Sequence, residues 1–152
     1  MKIRRAKREE LPIIVENNRR MALETEDKQL DLSTITKGAE ALFDDPGRGF
    51  YMVCEKDGEI LGQLMITYEW SDWRDGYFWW IQSVYVNSEA RKQGVFNTLY
   101  DAVMKMARAG ERVCGVRLYV EKSNVNAQKV YERVGMSRTH YDMFEVDFSA
   151  EI

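Results

Sequence analysis

The stretch from Arg48 to Val86 constrains the fold most. It holds three β-rich runs, "RGFYMVCEK", "EILGQLMITYEW" and "YFWWIQSVYV", separated by short joints. The first joint is Asp57-Gly58, a dipeptide suited to a two-residue hairpin in which both positions take positive φ. The second is the polar, aromatic loop "SDWRDG", and a turn signal, "DDPGRG", opens the stretch. Strands on such short connections run antiparallel. Any fold for this chain is therefore built around an antiparallel unit.

The flanks alternate between periods. "KIRRA" reads as a first short strand. Residues 9 to about 24 carry Leu11, Ile14, Val15, Asn18, Met21 and Ala22 at helical spacing. A second helix is expected over roughly 33 to 43, with Ser33 as N-cap and Ile35, Ala39, Leu42 and Phe43 as its apolar side. A third, from about 95 to 109, shows Phe96, Leu99, Val103, Met106 and Ala107 on one face. Then "RVCGVRLYVE" predicts a strand, "NVNAQKVYERV" a helix, and "MSRTHYDMFEVDF" at least one final strand. The order predicts a mixed α/β sheet, antiparallel first, with later parallel crossovers through helices. A length of 152 residues suits one domain, 1–152, with one core.

Several functions are disfavoured. A net charge of −3 does not suit a nucleic-acid scaffold. The basic cluster Lys2, Arg4, Arg5, Lys7 and Arg8 reads as solvated positions or as a phosphate-binding arm. Cys54 and Cys114 lie in apolar runs, which predicts buried, reduced thiols in a reducing compartment. With no CxxC and His140 as the only histidine, no metal site is expected. A nucleophile paired with histidine would have to use His140, which has no motif around it. No apolar run approaches 18 residues and no signal-peptide pattern opens the chain, so the expectation is a cytoplasmic protein with no membrane partner.

The stretch "SEARKQGVF" sits between a strand and a helix. Backbone N–H groups there meet the positive end of the helix dipole, Gly94 permits close approach, and Arg91 and Lys92 add charge. This is either an anion site suited to phosphate or a basic turn in which Gly94 relieves a tight bend.

"VYVNSEARKQGVF" resembles the signature loop of the GCN5-related N-acetyltransferases through Arg91 and Gly94, and departs from it at Phe96, where that family prefers a small residue. "LYVEKSNVNAQKVYERVGM" resembles the family's second signature through Asn124, Ala127, Tyr131 and Gly135. The resemblance implies a central mixed sheet of six to seven strands with about four helices, and acetyl-CoA as acetyl donor. It implies that N–H groups of Arg91, Lys92, Gln93, Gly94, Val95, Phe96 and Asn97 cradle the CoA pyrophosphate. It further implies that strand 81–86 splays from strand 113–121, with pantetheine lying along Val84, Tyr85 and Val86. Phe96 is expected to point inward with Leu99 and Val103, its N–H remaining available.

Direct acetyl transfer needs a neutral amine, an oxyanion donor and a proton for the leaving thiolate. The resemblance sets Tyr131 beside the CoA sulfur as general acid; its spacing also fits plain core. Asn124 reads as an N-cap, a cofactor contact, or both. Lys129 and Arg133 either reach a CoA phosphate or are solvated charge. Gln82 stands where some polyamine acetyltransferases carry glutamate, and can orient water or amine. Glu69, Asp72 and Glu121 are the carboxylates nearest the expected cleft; Glu69 and Asp72 flank Trp70, which suits a base of raised pKa, while each also fits ordinary loop or strand-end charge, with a water chain to solvent as a further route for the proton.

For the acceptor, Glu24, Glu26, Asp27 and Asp31 with Trp70, Trp73, Tyr77, Trp79 and Trp80 suit a small cationic amine. The same aromatics could instead pack on helices and cover a homodimer face. Acetylation of a peptide or protein amine, a non-catalytic CoA-ester-binding module, and a structural protein without cofactor stay open as alternatives.

Overall fold

The computed structural model describes the backbone from Met1 to Glu151 and side chains through Ser149. Two compact units divide the chain, Met1–Tyr119 and Val120–Ile152.

The first unit holds a five-stranded sheet in the order β1-β2-β3-β4-β5. Its strands are β1 (Lys2–Arg5), β2 (Gly49–Lys56), β3 (Glu59–Ser71), β4 (Gly76–Val86) and β5 (Val113–Arg117). The first three pairings are antiparallel and β4 with β5 is parallel. The β2–β3 hairpin turns on Asp57 and Gly58, both at positive φ, as their chemistry demands. The helices here are α1 (Leu11–Glu26), α2 (Leu32–Asp44) and α3 (Val95–Ala109). Pro12 opens α1, where its missing N–H costs nothing.

Strand alternation assigns the faces. Tyr51 packs with Ile14, Val15 and Ala39, flanked by Leu42, Phe43 and Met65, so α1 and α2 cover that face. Gly62 lies one residue out of phase, and a Cβ there would meet the Val95 side chain of α3 at 2.8 Å. Helix α3 therefore covers the opposite face, burying Val95, Leu99, Tyr100, Val103 and Ala107.

Five features differ from what the sequence alone predicts. The sheet has five strands, not six to seven, and among the described residues 136–148 form no strand. Met143, Phe144 and Val146 are exposed there. A β-rich pattern without a paired neighbour gains none of the cross-strand packing that β-propensity measures. Strand β5 stops at Arg117 rather than continuing to 121. The N-cap of α2 is Asp31, not Ser33; its carboxylate accepts from the Thr34 N–H at 3.0 Å, three residues on. Cys54 is buried, but Cys114 is exposed, because β5 has a ladder on one edge only and turns Cys114 outward. At the start of α3 the buried residue is Val95, and Phe96 is half-buried with its ring 6.0 Å from Tyr100. Leu99, Val103 and Ala107 lie on the buried stripe as expected, and only its first member differs, Val95 in place of Phe96.

The basic amino-terminal cluster is partly tied down. Arg4 is bidentate to Glu10 at 2.8 and 2.7 Å and reaches Glu55 at 3.0 Å. Arg5 lies 4.0 Å over the Phe50 ring, and Arg8 pairs with Asp44 at 2.7 Å. In the second unit, α4 (Val125–Arg133) ends at Gly135, whose φ of 100° suits glycine. There the Gly135 N–H donates to Glu132 and the Met136 N–H to Tyr131, closing the last turn.

Candidate active site

Strand β4 changes partners along its length. Tyr77 to Trp80 pair with β3 on one side and with Val113 to Arg117 of β5 on the other. From Ile81 to Val86 the ladder continues to β3 alone. Within this half sits a bulge. Gln63 opposes Tyr85 while Met65 opposes Gln82, so β4 has one residue more than β3. Ser83 takes a φ of 52° at that point. Beyond the bulge the Asn87 N–H donates to the Leu61 carbonyl of β3 at 2.9 Å. Alternation then turns the polar backbone groups of Val84 and Val86 to the other edge, toward the side β5 has left. The Val86 carbonyl accepts there from Arg91 Nε at 3.0 Å. An extended ligand carrying amides can pair with such an edge as a strand would.

The loop after β4 leads into the amino end of α3. Lys92 and Gly94 both take left-handed φ, 64° and 79°. A Cβ at Gly94 would meet no atom within 4 Å, so φ and not crowding selects glycine here. No side chain caps α3, and its first internal bond runs from the Thr98 N–H to the Gly94 carbonyl at 3.0 Å. The N–H groups that open the helix point out of its positive end, a geometry suited to an anion. Lys92, Gln93, Gly94 and Asn97 are exposed. Arg91 turns the other way. Besides Val86 it reaches Glu24 of α1 at 3.0 Å and stands 5.5 Å over the Tyr85 ring. The Glu24 carboxyl is held below the usual carboxylate range, first by the Tyr85 phenol and then by Arg91. Burial, and Glu24 beside it, push the Tyr85 phenol up.

The expected acceptor wall is split by alternation. Trp70, Tyr77 and Trp79 share the α3 face, where Trp70 and Tyr77 meet edge to face at 4.8 Å and Trp79 packs on Phe50 at 5.6 Å. Thr67, Glu69, Phe78, Trp80 and Gln82 share the face of α1 and α2. Trp73 projects from the β3–β4 turn, 88% exposed. Glu69 Oε1 accepts from Trp80 Nε1 at 3.1 Å and from Arg117 Nη1 at 2.9 Å. The Arg117 guanidinium lies 3.5 Å from the Phe78 ring centre, so one aromatic face on this side already holds a cation. Gln82 donates to Thr67 Oγ1 at 2.7 Å. Of the acidic residues from the last turn of α1 to the start of α2, Glu24 is tied to Arg91 and Asp31 caps α2, while Glu26 and Asp27 stand exposed.

In the second unit, Asn124 caps α4 by accepting from the Ala127 N–H at 3.1 Å. Tyr131 is half-buried on the same helix, and burial pushes its phenol up. Lys129 and Arg133 lie on the exposed side. The Glu121 carboxylate accepts from both the hydroxyl and the backbone N–H of Ser123, which hold it below the usual range and make it a poor base. Asp72 is exposed in the β3–β4 turn.

Gln63, Asn17 and Arg117 escaped the sequence reading. Gln63 gave a signal, a lone amide at a position alternation assigns to the covered face of an apolar strand. Arg117 gave none. A cavity of ≈ 500 Å³ lined by Glu10, Glu16, Asn17, Gly58, Glu59 and Asn87, among others, contains none of the residues expected to carry chemistry. Among the described residues no group of three or more His, Cys, Asp or Glu could hold a metal, and no helix is long and apolar enough to cross a membrane.

Residues 13–136 match the model of the acetyltransferase (GNAT) family. A possible acetyltransferase from Clostridium difficile 630 superposes with a TM-score of 0.91 at 44% identity, covering 96% of each chain. A protein of Clostridium acetobutylicum described as a predicted acetyltransferase, solved with acetyl-CoA, gives a TM-score of 0.78 at 15% identity over 98% of this chain and 97% of its own. A ribosomal-protein-alanine N-acetyltransferase from Brucella melitensis biovar Abortus 2308 gives 0.77 at 16% over 97% and 98%. At such identities these last two speak to fold alone. No curated protein matches the chain at a significant level.

Proposed function

We propose that this chain, which belongs to the acetyltransferase (GNAT) family, moves the acetyl group of acetyl-CoA directly onto the primary amine of a small cationic molecule. That it is an acetyl-CoA-dependent N-acetyltransferase follows from the family. The acceptor class and the residue roles are our reading. The observation that carries it is the edge of β4 at Val84 and Val86, turned from β3 by the Ser83 bulge and followed at once by the uncapped amino end of α3. Pantetheine amides pair with Val84 and Val86, beside Tyr85. The N–H groups from Arg91 to Asn97 receive the pyrophosphate, with Lys92 adding charge. Arg91 serves by fixing the loop to Val86 and Glu24.

Acetyl-CoA supplies the activated acyl group. The neutral amine attacks the thioester carbon, the C–S bond breaks, and the Tyr131 phenol protonates the departing thiolate. Asn124 holds the start of the Tyr131 helix. The ammonium loses its proton to Glu69 directly or through water, and Gln82, fixed by Thr67, orients the amine. The carboxylate of Glu69 beside the Trp80 indole supports a cationic acceptor. Arg117 shares Oε1 of that carboxylate, so an incoming ammonium binds through Oε2. The family match runs from 13 to 136, which supports reading residues 1–152 as one domain in sequence. We place the enzyme in the cytoplasm and allow for a homodimer.

The test is thiol release from acetyl-CoA across polyamines, diamines, amino acids, aminoglycosides and short peptides. Release stimulated by the small polycations supports the reading. Release with peptides alone replaces the acceptor by a protein amine. Flat release with acetyl-CoA still bound would point to a non-catalytic binder.

A further inference from the structure

We propose that Gln63 is a positioning residue for acetyl-CoA, holding the Ser83 bulge through its side-chain amide while Asn17 of α1 holds Gln63 in turn. The inference rests on the placement of the cofactor along Val84 and Val86.

Gln63 lies in the middle of β3, 0% exposed, next to an equally buried Leu64. An amide in such surroundings needs partners for both ends. Its Oε1 accepts from Asn17 Nδ2 at 3.1 Å, and its Nε2 reaches the Ser83 carbonyl at 3.5 Å. Asn17 is itself 4% exposed. Among the described residues no buried side-chain polar atom lacks a partner. The relay runs from helix to strand to the residue that breaks the ladder, across 46 and then 20 positions of sequence.

The bulge needs such support. Ser83 holds a left-handed φ of 52°, unfavourable for a residue with a Cβ. The carbonyl of the extra residue is the group a regular ladder would have paired. If it loses its donor, the register can slip by one residue. A slip of one exchanges the two edges of the strand, turning the polar groups of Val84 and Val86 back onto β3. A leucine or methionine at position 63 would fill the same space without buried polar groups, so the amide is better explained by what it holds than by packing.

The experiment titrates acetyl-CoA into wild type, Gln63→Met, Gln63→Glu and Asn17→Leu, with thermal melts, amide spectra of 15N-labelled protein and steady-state kinetics. Gln63→Met should weaken acetyl-CoA about tenfold, with the KM of the amine within about twofold of wild type. Gln63→Glu keeps the shape and the acceptor for Asn17, and its buried carboxyl protonates, so its O–H replaces the amide as donor to Ser83; it should bind acetyl-CoA nearly as wild type does and serves as the conservative rescue. Asn17→Leu keeps that donor and should weaken binding by a smaller factor. A merely structural amide would lower the melting temperature and leave the affinity of the folded protein alone. Unchanged acetyl-CoA affinity in Gln63→Met, or in Asn17→Leu should Gln63→Met fail to fold, overturns the proposal. Wild-type spectra separate the two levels. If the Val84 and Val86 amides do not shift on binding, the cofactor placement falls and this inference with it. If they shift and Gln63→Met and Asn17→Leu bind normally, this inference alone falls.

Discussion

From Tyr77 to Trp80, β4 is bonded on both edges; from Ile81 to Val86 it is bonded to β3 alone. The first half behaves as an interior strand. Gly76 opens it so close to the neighbouring chain that a Cβ would meet the Arg112 carbonyl at 2.7 Å, and the Tyr77 N–H donates to that carbonyl at 2.6 Å. The second half keeps its strand conformation without a second partner and carries a bulge that re-aims its backbone. Side chains do the work of the first half, in Glu69 across from Phe78 and in Trp80 beside it. In the second, the proposed cofactor contacts are backbone groups. Damage to the backbone of the paired half should therefore appear as lost stability, and damage to the backbone of the open half as lost cofactor affinity.

The largest effect should lie outside β4. Tyr131→Phe removes one hydroxyl and should lower the transfer rate about ten- to a thousandfold with acetyl-CoA affinity nearly unchanged. Stopped-flow thiol release with a binding titration checks this, and an unaltered rate removes Tyr131 from the chemistry. Next comes the paired half. Gly76→Val forces a branched side chain against the Arg112 carbonyl and should destabilise the protein by about 1–3 kcal/mol, read by denaturant titration. The folded fraction should bind acetyl-CoA normally. In the open half, Val86→Pro removes an N–H that has no ladder partner, as a proline at a sheet edge does. It should weaken acetyl-CoA about tenfold with little change in melting temperature. A collapse of stability there would erase the contrast between the halves.

The smallest effect belongs to the tether between the loop and α1. The Glu24 carboxyl titrates below its ordinary value of 4.5, so its contribution to stability is complete above that value. The contribution is lost as pH falls through the lower folded value. Glu24→Gln should flatten the acid limb below pH 4.5. Because both partners are more than a third exposed, the difference should be only a few tenths of a kcal/mol. Urea melts of both proteins at several acid pH values would detect it, and a larger acid sensitivity in the variant would refute the sign.

Legibility followed the kind of signal. Asp57-Gly58 located the hairpin because its chemistry dictates positive φ, and Gly94 located the start of α3 for the same reason. The missing last strand was misread because alternation in 136–148 tells which side chains share a face, not whether a neighbour is present. The split of the aromatic wall was readable in principle, since Trp79 and Trp80 are adjacent in a strand and must face apart. Arg117 was not readable, because its partners Glu69 and Phe78 are fixed only once β3, β4 and β5 are in register. The Ser83 bulge left no local mark either. It follows from the pairing of Gln63 with Tyr85 and Met65 with Gln82, which is a property of two strands together.

Amide hydrogen exchange with and without acetyl-CoA reads the two halves of β4 residue by residue. Acetyl-CoA should slow exchange at Val84, Val86 and the N–H groups opening α3, while Trp79 and Trp80 keep their rates. Protection confined to other segments, with Val84 and Val86 unchanged, would contradict the cofactor placement.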